Sequence, residues 1–160
     1  DDLEAGIVRL GILRPDSWDL PLFLHVLGST VLFGAILTAA VLAVAAVRRR
    51  ELAPLFSRLA FRTTVFGVIP AWVLSRVAAQ WILNRETHQI RGLDNESWVG
   101  IGFGVADAGP VVIVALLVLG FLTARRGGGG RLTTAFAVVS TAYLLALAVA
   151  WFAMSAKPGA

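Results

Sequence analysis

His25 and Met154 are the two residues of this sequence whose side chains best suit the binding of a metal or a haem. His25 lies in the stretch LPLFLHVLGST and Met154 in AWFAMSAK, so both stand within long apolar runs. Imidazole and thioether form an axial pair for haem iron, and the same groups suit copper. The sequence therefore predicts a haem b or copper site if the fold brings these residues together. The structural alternative is that His25 hydrogen-bonds a backbone carbonyl and Met154 fills a gap in the core.

Three further polar residues, Arg76, Gln80 and Asp107, also lie within apolar runs, and Trp72, Arg76 and Gln80 share one helix face at a spacing of four. If these runs cross a membrane, Arg76 and Asp107 both lie about 12–15 Å below its outer surface. A lone charge at the bilayer centre costs about 2.5–3.5 kcal/mol or more. We therefore expect a buried Arg76–Asp107 ion pair, with a further hydrogen bond donated by Gln80. The pair either fixes the register of two helices or serves a proton, an ion or a haem propionate.

No catalytic residue is predicted. The sequence contains neither an H-E-x-x-H motif nor a P-loop. The hydroxyls of the apolar runs are of the kind that pack helices against each other: Ser29, Thr30, Ser140 and Thr141. The chain also has no cysteine, which excludes a disulfide framework and a thiolate metal site.

The elements that position these residues are four long apolar runs, at residues 20–47, 61–83, 98–123 and 132–156. The 160-residue chain is 58% hydrophobic and only 15% charged, with a mean hydropathy of +0.80. Each run reaches the roughly 20 residues that a spanning helix needs. We therefore expect an all-α integral membrane four-helix up-down bundle over residues 20–160, with the first and fourth helices as neighbours. Residues 1–19 are expected to form an amphipathic tail on the outer surface.

The arginines indicate the orientation of this bundle. They cluster between the first and second runs and between the third and fourth runs, at Arg48, Arg49, Arg50, Arg58, Arg62, Arg125, Arg126 and Arg131. Positively charged loops stay in the cytoplasm, so both termini are expected outside. The same clustering accounts for the net charge of +4 without a nucleic-acid partner.

Glycines and prolines predict how the helices approach and bend. Gly100 and Gly104 form a G-x-x-x-G motif that favours close approach of another helix. Pro70 and Pro110 are each expected to bend their helix near the polar residues, and Pro110 leaves the carbonyl of Ala106 without its helical partner. The four glycines at 127–130 are expected to form a flexible connector.

The stretch LFLHVLGSTVLFGA, with the Leu-His-Val-Leu-Gly of residues 24–28 and Gly34, resembles the opening of many uncharacterised small bacterial four-helix integral membrane proteins. Copper-resistance D-like membrane domains are similar there. In this chain Phe33 and Ala35 replace the tryptophan and the second glycine of that pattern. The closing WFAMSAKPG is similar to the tails of uncharacterised proteins from high-GC bacteria. The resemblance implies a four-helix fold and a bacterial inner-membrane location, and it implies no reaction.

Three functions follow as hypotheses. The first is a non-catalytic subunit or scaffold of a membrane complex, whose partners are the lipid bilayer and other membrane subunits or a second copy of the chain. The second is an electron-transfer or metal-handling protein that binds haem b or copper through His25 and Met154. The third is a small proton or ion transporter that uses Arg76 and Asp107.

Overall fold

A computed structural model of the chain describes residues 19–86 and 97–156, which form helices and turns without any strand. The five α-helices in these ranges are α1 (Asp19–Arg48), α2 (Ala53–Thr63), α3 (Ile69–Glu86), α4 (Ser97–Arg125) and α5 (Gly130–Ala156). A 3-10 turn at Arg50–Leu52 precedes α2, and a π-helical turn at Thr64–Val68 joins α2 to α3. The predicted tail at residues 1–19 lies outside the described residues, apart from Asp19.

Four helical stretches are long and apolar enough to cross a membrane, namely Asp19–Arg48, Arg50–Asn84, Gly100–Arg125 and Gly130–Ala156. They match the four predicted runs, and the all-α class is confirmed for the described residues. The second stretch begins at Arg50, eleven residues before the predicted run, and contains that run. Pro54 lies in the first turn of α2, where a missing N–H costs nothing. Ser57 and Ala60 are buried there, so this arginine-bearing segment packs as a helix.

The four long helical stretches pack side by side. α1 packs against α2, α3 and α5, while α4 packs against α5 and α2. The first and fourth spans are therefore neighbours, as predicted. α3 and α4 make few contacts with each other, so the second and third spans meet mainly through α2. We call the end of the bundle that carries Arg48 and Arg125 the arginine end, and the opposite end, where α1 begins, the Asp19 end. The bundle is closed at the arginine end and open between α3 and α4 at the Asp19 end.

The core lies where the helices approach most closely. Ile36, Val68, Leu116 and Phe136 are completely or almost completely buried. The hydroxyl of Ser140 is also buried, and it donates to the carbonyl of Phe136 one turn earlier at 2.8 Å. A polar side chain bonded to its own helix in this way needs no partner on another helix.

The glycine run at 127–130 forms an ordered turn, which differs from the predicted flexible connector. All four residues have positive φ angles between 73° and 79°, a region that favours glycine. The N–H of Gly128 donates to the carbonyl of Thr123 at 2.8 Å, which closes the last turn of α4. A Cβ at Gly128 would overlap the carbonyl oxygen of Ala53, so the turn packs directly on the first residue of α2.

Candidate functional site

A cavity of about 380 Å³ lies in the half of the bundle nearer the Asp19 end, and α1, α3, α4 and α5 all line it. This volume falls within the range of about 300–1,000 Å³ that is common for ligand pockets. Its walls are mostly apolar and aromatic, and its polar side chains include His25, Arg76 and Tyr143. Two of the predicted ligands, His25 and Met154, therefore line one cavity, together with the predicted propionate partner Arg76.

The cavity exists because α3 is held to α1 and parts from α4. At Gly28 the two backbones are so close that a Cβ would lie 2.7 Å from the nitrogen and 3.0 Å from the Cα of Ser75. α3 and α4 separate toward the Asp19 end, beginning near Pro70 and the π-helical turn that precedes it. A π turn breaks the regular hydrogen-bond ladder, and such turns are frequent at functional sites.

His25 is held by the backbone of α3. Its Nδ1 lies 3.1 Å from the carbonyl oxygen of Ser75. Because a carbonyl can only accept, Nδ1 carries the hydrogen and Nε2 carries a free lone pair. No hydrogen bond from another described residue reaches Nε2. A histidine held in this way by its other ring nitrogen is typical of metal ligands, and its Nε2 can equally accept a hydrogen bond from an organic ligand.

The hydroxyl of Ser75 does not make His25 a catalytic base. This hydroxyl lies 3.4 Å from Nδ1 of His25 and 2.7 Å from the hydroxyl of Ser29. Since Nδ1 already carries the hydrogen that it gives to the Ser75 carbonyl, it cannot remove a proton from the hydroxyl. The two serines instead join α1 to α3 beside the Gly28 contact.

Met154 fills space between α5 and α4. Its methyl group occupies the position that a Cβ on Gly102 would take, and its sulfur lies 3.5 Å from that position. Both residues thus make the contacts that the structural alternative predicts, because His25 hydrogen-bonds a carbonyl and Met154 packs against a glycine. Among residues 19–86 and 97–156, no three His, Cys, Asp or Glu side chains are grouped so that they could hold a metal ion.

Trp72 links α3 to α4 at the side of the cavity that is nearer the arginine end. Its indole Nε1 donates to the carbonyl of Ala106 at 3.2 Å. Pro110 lies four residues after Ala106 and has no N–H, so this carbonyl lacks its helical partner, as predicted. Gly109 makes the contact possible, because a Cβ there would overlap Nε1 of Trp72. Sequence analysis predicted no partner for the freed carbonyl, although the indole N–H of a buried tryptophan usually finds a hydrogen-bond acceptor.

Tyr143 is a polar residue of the cavity that the sequence reasoning missed. Its side chain is 4% exposed, and within the described part of the chain its hydroxyl has no hydrogen-bond partner. The hydroxyl lies 2.9 Å from the position of a Cβ on Gly109, beside the Trp72 contact. A buried hydroxyl without a partner costs about 1–3 kcal/mol. One feature of the sequence could have indicated this residue, because Tyr143 is the only tyrosine of the sequence and lies within an apolar run.

Arg76 bridges the gap between α3 and α4. Its Nη2 donates to Oδ1 of Asp107 at 2.9 Å and its Nη1 donates to Oε1 of Gln80 at 3.0 Å. Its guanidinium carbon lies 5.3 Å from the ring centroid of Phe103, within cation–π range. Gln80 in turn donates to Asn84 at 2.9 Å. These side chains form a polar track along α3 toward the Asp19 end.

The predicted pairing of Arg76 with Asp107 is therefore present, but its predicted burial is wrong. The Asp107 side chain is 59% exposed and that of Arg76 is 26% exposed. Gln80 accepts from Arg76, whereas we expected it to donate to the pair. The physical reason is the separation of α3 and α4, because the two side chains span an open gap at the edge of the cavity.

Gly100 and Gly104 do not provide the predicted close approach of another helix within this chain. A Cβ at either position would have no atom of the described residues within 4 Å. The glycines of α4 that do admit neighbours are Gly102, which contacts Met154, and Gly109, which contacts Trp72. The small-residue face that the spacing predicted is therefore present, but no described helix packs against it, so the approach of another helix through this motif stays a prediction.

Comparisons with protein-family models, curated proteins and solved structures find no match to this chain. The class of protein is therefore defined by the fold and the cavity: an all-α protein with four helices long and apolar enough to span a membrane, which enclose a mostly apolar cavity near one end.

Proposed function

We propose that this chain is an integral protein of the bacterial inner membrane and acts as a non-catalytic subunit that binds an amphipathic small molecule. The four long apolar helices support insertion. The arginines at one end of the bundle support a cytoplasmic arginine end, with both termini outside. In this orientation the cavity lies in the outer half of the bilayer and opens toward lipid between α3 and α4.

The observation that carries this proposal is that one apolar cavity is lined by two polar residues with unused hydrogen-bonding capacity. Nε2 of His25 offers a lone pair, and the hydroxyl of Tyr143 is buried without a partner in the described residues. Convergent polar groups in a largely apolar pocket are the usual pattern of a ligand site. The expected ligand has an apolar body, a donor that reaches His25 and an acceptor that reaches Tyr143. A molecule of this kind enters directly from the bilayer.

A change that fills the cavity should remove this ligand. Ala150 lines the cavity, so we expect Ala150→Phe to reduce the amount of co-purified ligand at least about tenfold by occupying its space. Ala148 is exposed on the same helix, and Ala148→Phe serves as the matched control. The measurement is solvent extraction of protein purified from bacterial membranes, followed by mass spectrometry. An absence of any bound small molecule in the unmodified protein, or equal retention by both variants, contradicts the proposal.

The second candidate function is binding of haem b or copper in the same cavity. Two observations favour it. His25, Met154 and Arg76 line one cavity, and Nδ1 of His25 is hydrogen-bonded to a carbonyl. A visible spectrum of protein purified with haem available, with metal analysis for copper, distinguishes it from the first candidate. A Soret band that His25→Ala abolishes would favour haem. A spectrum without this band, from a sample that also contains no copper, would exclude both haem and copper.

A further inference from the structure

The side of α4 opposite the core carries six residues at alternating spacings of four and three. We call this row the α4 seam: Gly100, Gly104, Asp107, Val111, Val114 and Val118. All six are exposed, whereas Gly102, Gly109, Ile113 and Leu116 on the opposite side are buried. A 4-3 repeat is the spacing with which two parallel helices pack in a left-handed pair. The α4 seam therefore has the pattern of a packing face, but no helix among residues 19–86 and 97–156 packs against it.

The α4 seam is also unlike a face made for lipid. The outward face of α5 carries bulky apolar residues, including Val138, Leu145 and Val149, which are 58–63% exposed. The α4 seam instead begins with two glycines that have open space around them, and its third position is a carboxylate that is 59% exposed. A carboxylate facing hydrocarbon is costly, and charged groups within a membrane are expected to face protein or a water-filled cavity.

We propose that two copies of this chain associate in parallel through the α4 seam. This inference rests on the proposed membrane insertion, because copies inserted in the same orientation bring Asp107 of one copy to the same depth as Asp107 of the other. In a two-fold interface the same patch is used by both copies. Gly100 and Gly104 then allow the two α4 backbones to approach closely near the Asp19 end, and the three valines pack below them.

Charge complementarity supports a second copy as the occupant of the α4 seam. Asp107 accepts one hydrogen bond in this chain, at Oδ1, and its second oxygen has none from a described residue. Arg76 uses two of its five N–H donors, on Asp107 and Gln80. Across a two-fold axis each carboxylate meets the partner's Arg76 as well as its own, so two positive and two negative groups alternate. The partner's α4 also covers the edge of the gap between α3 and α4, beside the cavity.

Disulfide cross-linking in native membranes tests the arrangement cleanly, because the chain contains no cysteine of its own. We expect Val111→Cys and Val118→Cys, which lie in the α4 seam, to form covalent dimers on oxidation. Val138→Cys and Val149→Cys on α5 are the matched controls, since these positions are similarly exposed. Cross-linking confined to the α4 variants supports the proposal. Equal cross-linking of both faces, or none from α4, overturns it.

A second measurement tests the glycines without relying on oxidation. Gly104→Leu should weaken dimerisation, measured by energy transfer between labelled copies in vesicles, by at least about tenfold. Gly34→Leu is the control, because Gly34 also has no atom within 4 Å of a Cβ but lies on α1. An unchanged dimer in Gly104→Leu overturns the proposal. In the unmodified protein, bound ligand without a dimer would mean that this inference fails while the proposed ligand site stands. A dimer without bound ligand would mean the reverse.

Discussion

Replacing Gly28 by leucine is expected to separate α1 from α3 and to lower the free energy of unfolding substantially. A Cβ at this position would lie 2.7 Å from the backbone nitrogen of Ser75, so no rotation of a side chain relieves the overlap. Overpacking in a core commonly costs about 1–3 kcal/mol. We expect a loss at or above the upper end of that range, because here the neighbour is backbone. Reversible unfolding in detergent micelles measures it.

The matched control for this change lies six residues further along the same helix. Gly34→Leu places the same side chain in open space, so its unfolding free energy should stay within about 0.5 kcal/mol of the unmodified protein. Gly28→Leu should also break the hydrogen bond from His25 to Ser75 and release any ligand. If the two variants are equally stable, the close approach of α1 and α3 is not a feature of the folded protein.

In the proposed membrane orientation, replacing Asp107 by asparagine should leave the charge of Arg76 without a counter-ion inside the bilayer. An unpaired charge costs about 2.5–3.5 kcal/mol at the bilayer centre. Arg76 lies off-centre and keeps its bond to Gln80, so we expect a loss of about 1–3 kcal/mol in the free energy of unfolding. The double variant Arg76→Gln/Asp107→Asn removes both charges and should recover most of that loss. A double-mutant cycle in lipid nanodiscs measures the coupling.

The same variants distinguish a structural pair from a transport site. If Asp107→Asn unfolds as readily as expected and the double variant recovers, the ion pair holds α3 and α4 together across the gap. If Asp107→Asn is as stable as the unmodified protein but abolishes proton or ion movement across vesicles, the transport hypothesis is favoured and the structural prediction fails. Coupling below about 0.5 kcal/mol with no transport would contradict both.

Much of the helical architecture could be predicted because it depends on single stretches of sequence. Apolar runs of sufficient length indicate that four long helices exist and where the first, third and fourth of them lie, without knowledge of their neighbours. Equal distance from a shared loop likewise predicted that Arg76 and Asp107 would meet. These inferences need only the helical rise of 1.5 Å per residue and the order of the helices.

The features that the sequence did not predict depend on how far apart the helices lie. Helical spacing places Gly100 and Gly104 on one face and Gly102 on another, but it does not say which face meets a neighbour. It also cannot show that α3 and α4 separate, which is why the Asp107 side chain is exposed rather than buried. The start of α2 was not predicted for a related reason. A segment rich in arginine has the composition of a loop, although the residues that it buries, Ala53, Ser57 and Ala60, are small enough for close helix packing.

The π-helical turn at Thr64–Val68 sets the phase between the two halves of the second span. A π turn holds one residue more than an α turn. Every later residue is therefore rotated by about 100° from the position that an unbroken α-helix would give it, which is the angle that one residue contributes. The face of α2 that packs against α4 consequently does not continue into α3. One helical stretch can thus present a close-packed surface at the arginine end and present Trp72 and Arg76 to the cavity at the other end. It does so without a loop, which in the proposed membrane location would expose unpaired backbone groups to lipid.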